Sequence, residues 1–394
     1  MAACLPLAAY SGGYSIPEQG SKAAGLAGAF TGLANDPSAI YFNPAGISFI
    51  SGMNIMLGST FVTPSSQYQN PEYSNTIYKQ KDLFFIVPQF FLTYSWDYDL
   101  TFGLGVYAPF GLGTEWEKGW PGDYYARKTN LENVHFAGVV SFRVMENLSV
   151  AGAFAYSIAN AELNKKATAD GLGGDVGLKG SGSGVHWSLS ALFKPMDKLS
   201  IGVIYRGGTT LTLSGDIKFS GDRVTSQTDP LEGKGEVELP IPANFNVGIA
   251  YELLSDLTIS GDYNWSQWSD YKELAIVNTD KNITLSKNPR NWKDTNTFRV
   301  GAEYRGLENF AIRAGFLTDS DPVDTKYSEP SLPDAGRVGY TLGLGYNWSE
   351  NITLDAYVLM LSWDEKHVTD NEFHFNGYYN TKATLSGVAI SYKF

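Results

Sequence analysis

From residue 51 onward the chain repeats one pattern: a segment whose apolar residues recur at every second position, a short turn, a second such segment, then a long polar connection. Leu148, Val150, Gly152, Phe154, Tyr156 and Ile158 point one way, and Ser149, Ala151, Ala153, Ala155 and Ser157 the other. Phe245, Val247, Ile249 and Tyr251 alternate with Asn246, Gly248 and Ala250, and Tyr340, Leu342, Leu344 and Tyr346 oppose Thr341, Gly343 and Gly345. Successive side chains of a strand face opposite sides of its sheet, so each segment is a strand with one apolar face. Short turns fall near residues 97–99, 145–147, 195–198, 254–256, 306–309 and 349–351. Long connections fall near 64–82, 111–133, 163–184, 215–236, 270–294, 318–337 and 366–378. Strict alternation of the two kinds separates about fourteen strands and puts every long loop at one end. A soluble sandwich has no reason to segregate its loops in this way. A closed barrel standing in a membrane does, so the fold class is all-β: an antiparallel transmembrane β-barrel.

The ends of the strands agree with a bilayer. Trp96, Tyr98, Tyr251 and Trp348 sit beside turns, where an aromatic girdle meets the membrane interface. The last strand alternates Val388, Ile390, Tyr392 and Phe394 with Gly387, Ala389, Ser391 and Lys393 and ends on an aromatic, as the assembly signal of outer-membrane proteins does. No apolar run reaches the roughly 18 residues a membrane-crossing helix needs. A net charge of −12 argues against nucleic acid as a partner. Cys4 is the single cysteine, which removes a disulfide framework and a thiolate metal site. His135, His186, His367 and His374 lack ligand spacing. Neither a metal, a cofactor nor an enzymatic activity is expected.

The N-terminal stretch breaks the strand pattern. Residues 1–13 begin MAACLPLAAY, like the tail of a secretory signal, and read as a signal-peptide remnant or flexible N-terminus. In residues 14–50, Pro17 comes two residues after Ser15 and Pro37 directly after Asp36, each a capping residue with proline in the first turn of an expected helix. The residues between are mostly Ala, Gly, Leu and Ser, and Asn43-Pro44-Ala45-Gly46 stops any helix and turns the chain. A thin, partly helical segment ahead of a barrel reads as a hatch inside it: hatch 14–50, barrel 51–394.

Within the third strand, Pro109 follows Gly103-Leu104-Gly105-Val106-Tyr107-Ala108. Proline donates nothing to a ladder and a closed barrel has no edge on which to hide it, so the strand must bulge, kink or end there. The connection that follows holds Phe110, Leu112, Trp116 and Trp120, unusually apolar for an outer loop, and reads as a capture groove for a hydrophobic molecule.

A barrel behind a plug ending in Asn43-Pro44-Ala45 resembles the FadL/TodX family of hydrophobic-compound transporters of the Gram-negative outer membrane. Gly111-Leu112-Gly113-Thr114-Glu115-Trp116, Trp265-Ser266-Gln267-Trp268 and the stretch from Asp319 to Arg337 resemble further family segments, in family order over about residues 14 to 394. The resemblance implies a 14-stranded antiparallel transmembrane β-barrel with a small N-terminal, partly helical hatch, located in the bacterial outer membrane. It implies passive uptake, with loop capture, an internal pocket and lateral release through the wall. It places hatch and gate contacts at Asn43, Pro44, Ala45, Pro109, Phe110 and Gly111. Lys165 aligns with a pocket arginine at the outer end of the fifth strand, and Arg290 stands for a second cation, beside Lys287 and Lys293. Leu112, Trp116 and Trp120 complete the substrate-binding set. Lysine in place of arginine keeps the charge and loses the bidentate fork, so a long-chain fatty acid and an aromatic or alkane hydrocarbon are rival substrates. A hydrophilic porin and an adhesin barrel are the alternatives from other classes. The expected partners are a hydrophobic small molecule, outer-membrane lipid and lipopolysaccharide, and the barrel is expected to be a monomer.

Overall fold

The computed structural model describes residues 12–169, 172–221 and 232–394. Most of the expected signal remnant, with Cys4, lies outside the described residues. Fourteen strands close into one antiparallel ring: β1 (Met53–Asn70), β2 (Phe85–Ser95), β3 (Leu100–Glu115), β4 (Lys128–Met145), β5 (Leu148–Ala169), β6 (Leu172–Met196), β7 (Leu199–Arg206), β8 (Asn244–Leu254), β9 (Leu257–Ser266), β10 (Thr295–Leu307), β11 (Phe310–Asp319), β12 (Arg337–Asn347), β13 (Ile352–Trp363) and β14 (Gly377–Lys393). Each pairs with its sequence neighbours, and β1 with β14 closes the circle from Asn54↔Lys393 to Gln69↔Tyr378. The apolar face of each strand points outward. Leu104, Phe136, Phe154, Leu189, Val300, Leu342 and Val388 are all exposed on the outside, as a lipid-facing wall requires. Trp96, Tyr98, Tyr251 and Trp348 are exposed at the short-turn end.

At the other end several strands continue past the apolar band. The connection near 163–184, expected as a long loop, is instead paired strand over its described residues 163–169 and 172–184: β5 reaches Ala169, β6 starts at Leu172, and they pair from Leu163↔Leu178 to Ala169↔Leu172. The strands Thr209–Gly221 and Gly233–Ile241, then Glu273–Asn278 and Ile283–Pro289, extend this tall side of the wall. Above the bilayer the outer face of a strand meets water and carries Asn160, Glu162 and Asn164. The hydropathy alternation fades there while the backbone pairing continues.

The hatch fills the lower lumen. Its helices are shorter and start later than the prolines suggested: α1 is Ser21–Gly25, behind Gly20 rather than Pro17, and α2 is Ala39–Phe42, two residues after Pro37. Asp36 accepts from the Ser38 amide (2.8 Å) and hydroxyl (2.6 Å), so Pro37 lies in a side-chain-closed turn ahead of the helix. Asn43 ends α2 and caps a 3-10 helix, Pro44–Phe49.

Polar wall residues hold the hatch. Asp262 accepts from the Phe30 and Thr31 amides at 3.0 and 2.8 Å, and Arg299 donates to Ala27 O at 2.8 Å. Buried Arg313 joins Glu303 (2.7 Å) and Asp355 (2.6 Å), with Lys22 at 3.7 Å from Glu303. Backbone approaches backbone at Gly248, where an added Cβ would stand 2.7 Å from Gly32 N.

Candidate functional site

One seam of the wall, between β2 and β3, is interrupted. β2 and β3 pair only from Phe90↔Val106 to Ser95↔Thr101. Above this, β2 keeps its β1 partners up to Val62↔Phe85, and β3 keeps its β4 partners up to Glu115↔Lys128. The facing edges of β2 and β3 therefore run unpaired to each other. They rejoin higher up, where Lys81 N donates to Glu115 O at 2.7 Å and Lys81 Nζ meets Glu115 Oε1 at 2.8 Å. The result is a window in the wall, bounded below and above. Pro109 is part of its cause. The β3–β4 register passes from Tyr107↔His135 to Phe110↔Asn133, so Ala108 and Pro109 stand opposite Val134 alone in a bulge. Pro109 has no N–H to offer across the seam.

The first residues of the hatch occupy this window from inside. Ile16 N donates to Pro109 O (2.8 Å) and Gly111 N to Tyr14 O (3.0 Å), an antiparallel bridge of Ser15 with Phe110. Gln19 Nε2 donates to Ala108 O at 2.9 Å, Gly20 N to Gln89 Oε1 at 2.7 Å, and Gln89 Nε2 to Glu18 O at 2.9 Å. Residues 14–20 are thus tied to β3 on one side and β2 on the other. Side chains complete the seal: a Cβ on Gly111 would stand 2.7 Å from Ile16, and one on Gly113 would stand 2.1 Å from the Phe85 ring. Around this plug lies a cavity of about 460 Å³, lined by Ile16, Phe85, Phe110, Gly111 and Asn133.

A second cavity of about 440 Å³ lies above, inside the tall side of the wall. Its sides are Leu112, Leu131, Leu163, Leu178, Leu213 and Ile276. Tyr14, Tyr271 and Trp292 give it an aromatic base. Tyr14 packs edge-on against Trp268 at 4.6 Å and Tyr271 at 6.1 Å, and its hydroxyl donates to Pro240 O. Four cations line the cavity. Lys128 is held by Glu162 at 2.9 Å, buried Arg290 by buried Glu329, and Lys166 lies 4.8 Å from the centre of the Tyr124 ring. Lys165 has neither ion pair nor hydrogen bond among the described residues, and the Nη1 of Arg290 has no hydrogen-bond partner there. Burial alone would push the Glu329 carboxyl up, but the Arg290 guanidinium holds it below its usual range. Burial pushes the Lys165 ammonium down; Glu329 offsets part of that and Arg290 adds to it.

The residues singled out in the sequence fall into several separate places. Pro109, Phe110 and Gly111 frame the window, and Leu112 lines both cavities. Lys165 and Arg290 meet in the upper cavity, whereas Lys287 and Lys293 pair with Glu273 and Asp324 at the surface. Asn43 and Ala45 pin the hatch to the wall, with Pro44 between them at the start of the 3-10 helix. Asn43 Nδ2 donates to Ala191 O on β6 (3.1 Å), Ser190 Oγ accepts from Ala45 N (3.0 Å), and Ser149 Oγ on β5 donates to Ala45 O (2.7 Å). Trp116 and Trp120 do not form an open groove. Both are buried, stacked at 4.2 Å, and packed with Tyr68, Val368, Phe375 and Tyr379. Long outer loops need a core of their own, and these tryptophans supply it. The latch at Tyr14–Ile16 was missed, although Ile16 precedes a proline and such a residue is biased towards extended backbone.

A family model described as outer membrane protein transport protein (OMPP1/FadL/TodX) matches residues 2–394. The chain is 21% identical to the long-chain fatty acid transport protein of Escherichia coli O6:H1, over 100% of this chain and 96% of that protein. Its fold matches a Pseudomonas aeruginosa FadL homologue with a TM-score of 0.89 at 19% identity, covering 97% of this chain and 100% of that one. It also matches the Ralstonia pickettii toluene transporter TbuX with a TM-score of 0.73 at 19% identity, covering 95% and 98%.

Proposed function

Because the chain belongs to the OMPP1/FadL/TodX family of outer membrane transport proteins, whose members carry hydrophobic compounds, we propose that its substrate is a long-chain fatty acid. The carrying observation is Lys165: a half-buried ammonium without an ion pair among the described residues, on the wall of a cavity lined mostly by apolar side chains. A carboxylate there gains a charge-assisted hydrogen bond in a dry place, with Arg290 Nη1 as a second donor. The alkyl chain lies along the leucines, each buried methylene contributing about 0.8 kcal/mol. A cavity of about 440 Å³ is of small-molecule size.

Release follows from the two roles of the first hatch segment. Tyr14 is part of the base of the upper cavity, and its backbone is bonded to β3 in the window. A ligand that displaces the Tyr14 ring also pulls the latch that closes the wall. The molecule then leaves sideways into hydrocarbon, where the hydrophobic effect favours it and a polar lumen does not. No energy source is required. A second reading, an aromatic hydrocarbon as substrate, is favoured by the aromatic base of Tyr14, Tyr271 and Trp292, which suits edge-on ring packing.

Tryptophan fluorescence of the purified protein in a non-acyl detergent separates the two. Lys165→Ala is expected to weaken a long-chain fatty acid about tenfold to a hundredfold, the scale of one charged hydrogen bond, and to leave a neutral aromatic hydrocarbon unaffected. If the hydrocarbon binds as tightly as the acid and the variant changes neither, the fatty-acid reading falls. The pH dependence gives a second readout. Anion binding needs the protonated amine, whose pKa in the empty cavity is lowered. Affinity is therefore highest below that lowered pKa and falls as pH rises through it, the loss beginning below the ordinary lysine range of about 10.4. Lys165→Arg is expected to abolish that alkaline loss, since a guanidinium stays charged; an unchanged alkaline limb would place the titration elsewhere.

A further inference from the structure

Directly behind the latch, β4 carries two polar side chains on one inward face, Asn133 and His135. Asn133 pairs across the ladder with Phe110, which itself bridges Ser15. It is wholly buried, and neither its Nδ2 nor its Oδ1 has a hydrogen-bond partner among the described residues. His135 is buried too, with Nε2 equally without one, and its ring stacks on His186 at 4.2 Å. His186 Nε2 is 2.8 Å from Ser157 Oγ, so that second ring is held in place. Asn133 lines the window cavity. His135 lines a smaller lumenal cavity of about 90 Å³, and Phe110 and Ser15 line both. The pair therefore stands where the two spaces meet, separated by a side chain and a strand that must move when the window opens.

A buried primary amide with both ends unpaired costs free energy unless something completes it. Leu131 and Ala159 beside it offer nothing polar, and the Tyr14 hydroxyl is already donated to Pro240 O. We infer that Asn133, with His135 beside it, is a transit site for the neutral polar head of an amphiphile on its way to the window: an alcohol or an un-ionised carboxylic acid. Such a head carries one donor and one acceptor and satisfies Nδ2 and Oδ1 together, whereas an anion offers only acceptors and leaves Oδ1 facing negative charge. The chemistry also suits the next step, because a neutral head crosses into hydrocarbon at far lower cost than a charge. The site differs from the upper cavity in its preference: Lys165 favours the ion, Asn133 the neutral form.

This inference rests on the transport reading, and its test keeps the two apart. Uptake of dodecan-1-ol and of dodecane is measured in cells carrying the full chain, compared with cells lacking it. Asn133→Leu is expected to lower dodecanol uptake about tenfold, the scale of a hydrogen-bonded head left unpaired, and to leave dodecane uptake unchanged. Asn133→Thr, which keeps a donor and an acceptor, is expected to restore most of the dodecanol uptake. Loss of both compounds in Asn133→Leu, unrelieved in Asn133→Thr, would make Asn133 a packing residue and overturn the inference, as would dodecanol uptake that neither variant alters. If the unaltered chain raises uptake of neither compound, the transport reading itself fails.

Discussion

Two seams of the wall carry opposite designs. Where the first and last strands meet, β1 and β14 pair without interruption from Asn54↔Lys393 to Gln69↔Tyr378. This is the seam that closes the barrel and joins the most distant parts of the chain, yet it shows no break. β2 and β3 are consecutive in sequence and joined by a short turn, but their pairing stops at Phe90↔Val106. Fraying at a loop end does not explain the stop, because the strands rejoin above it through Lys81 and Glu115. In a bilayer an unpaired backbone group costs several kcal/mol, so an opening at membrane depth must be satisfied from somewhere. Here the hatch supplies backbone partners to the β3 edge through the Ile16 amide and the Tyr14 carbonyl, and it holds β2 by the Gln89 side chain through the Gly20 amide and the Glu18 carbonyl. The ordinary seam is self-sufficient, while the other is completed by a removable strand.

The sharpest way to break this comparison is to make the removable strand permanent. Ser15 and Phe110 face each other as a non-hydrogen-bonded pair, whose Cα atoms in such a bridge lie about 4.5 Å apart, within disulfide range. With Cys4 replaced by serine, Ser15→Cys with Phe110→Cys is expected to stop uptake under oxidising conditions and to recover it on reduction. The same bridge placed across the ordinary seam, Ser59→Cys with Val388→Cys, is expected to leave uptake untouched in both states. Full uptake with the window bridge oxidised would show that the latch stays in place during transport and that molecules leave by another route.

The barrel was legible in the sequence because lipid on one side and hatch or water on the other force a period of two through the band crossed by Val150 to Ile158. It became illegible at 163–184 because water wets the outer face there, and pairing alone leaves no hydropathy signature. Pro109 announced an irregular strand through its chemistry. The consequence for β2 could not be read, since it depends on which neighbour loses a partner. Lys165 and Arg290 were placed by likeness to a family. The counter-charge on Arg290 was hidden because Glu329 lies 39 residues away and meets it only through the folding of two outer connections. Trp116 and Trp120 looked like a groove because composition reports apolar side chains and not what covers them.

The smallest expected effect tests what holds the upper edge of the window. Lys81 and Glu115 form an ion pair with side-chain exposures of 41% and 27%, and exposed pairs of this kind contribute little to stability. The backbone bond from Lys81 N to Glu115 O lies beside it and does not depend on the side chain. Lys81→Ala is therefore expected to leave stability almost unchanged, with uptake of a straight-chain substrate unchanged as well. Thermal unfolding followed by gel mobility, together with uptake, checks both. A severalfold change in uptake would mean that the side chains, and not the ladder, set the height of the window. The contrast between the seams would then extend to the residues that border the opening as well as to those that fill it.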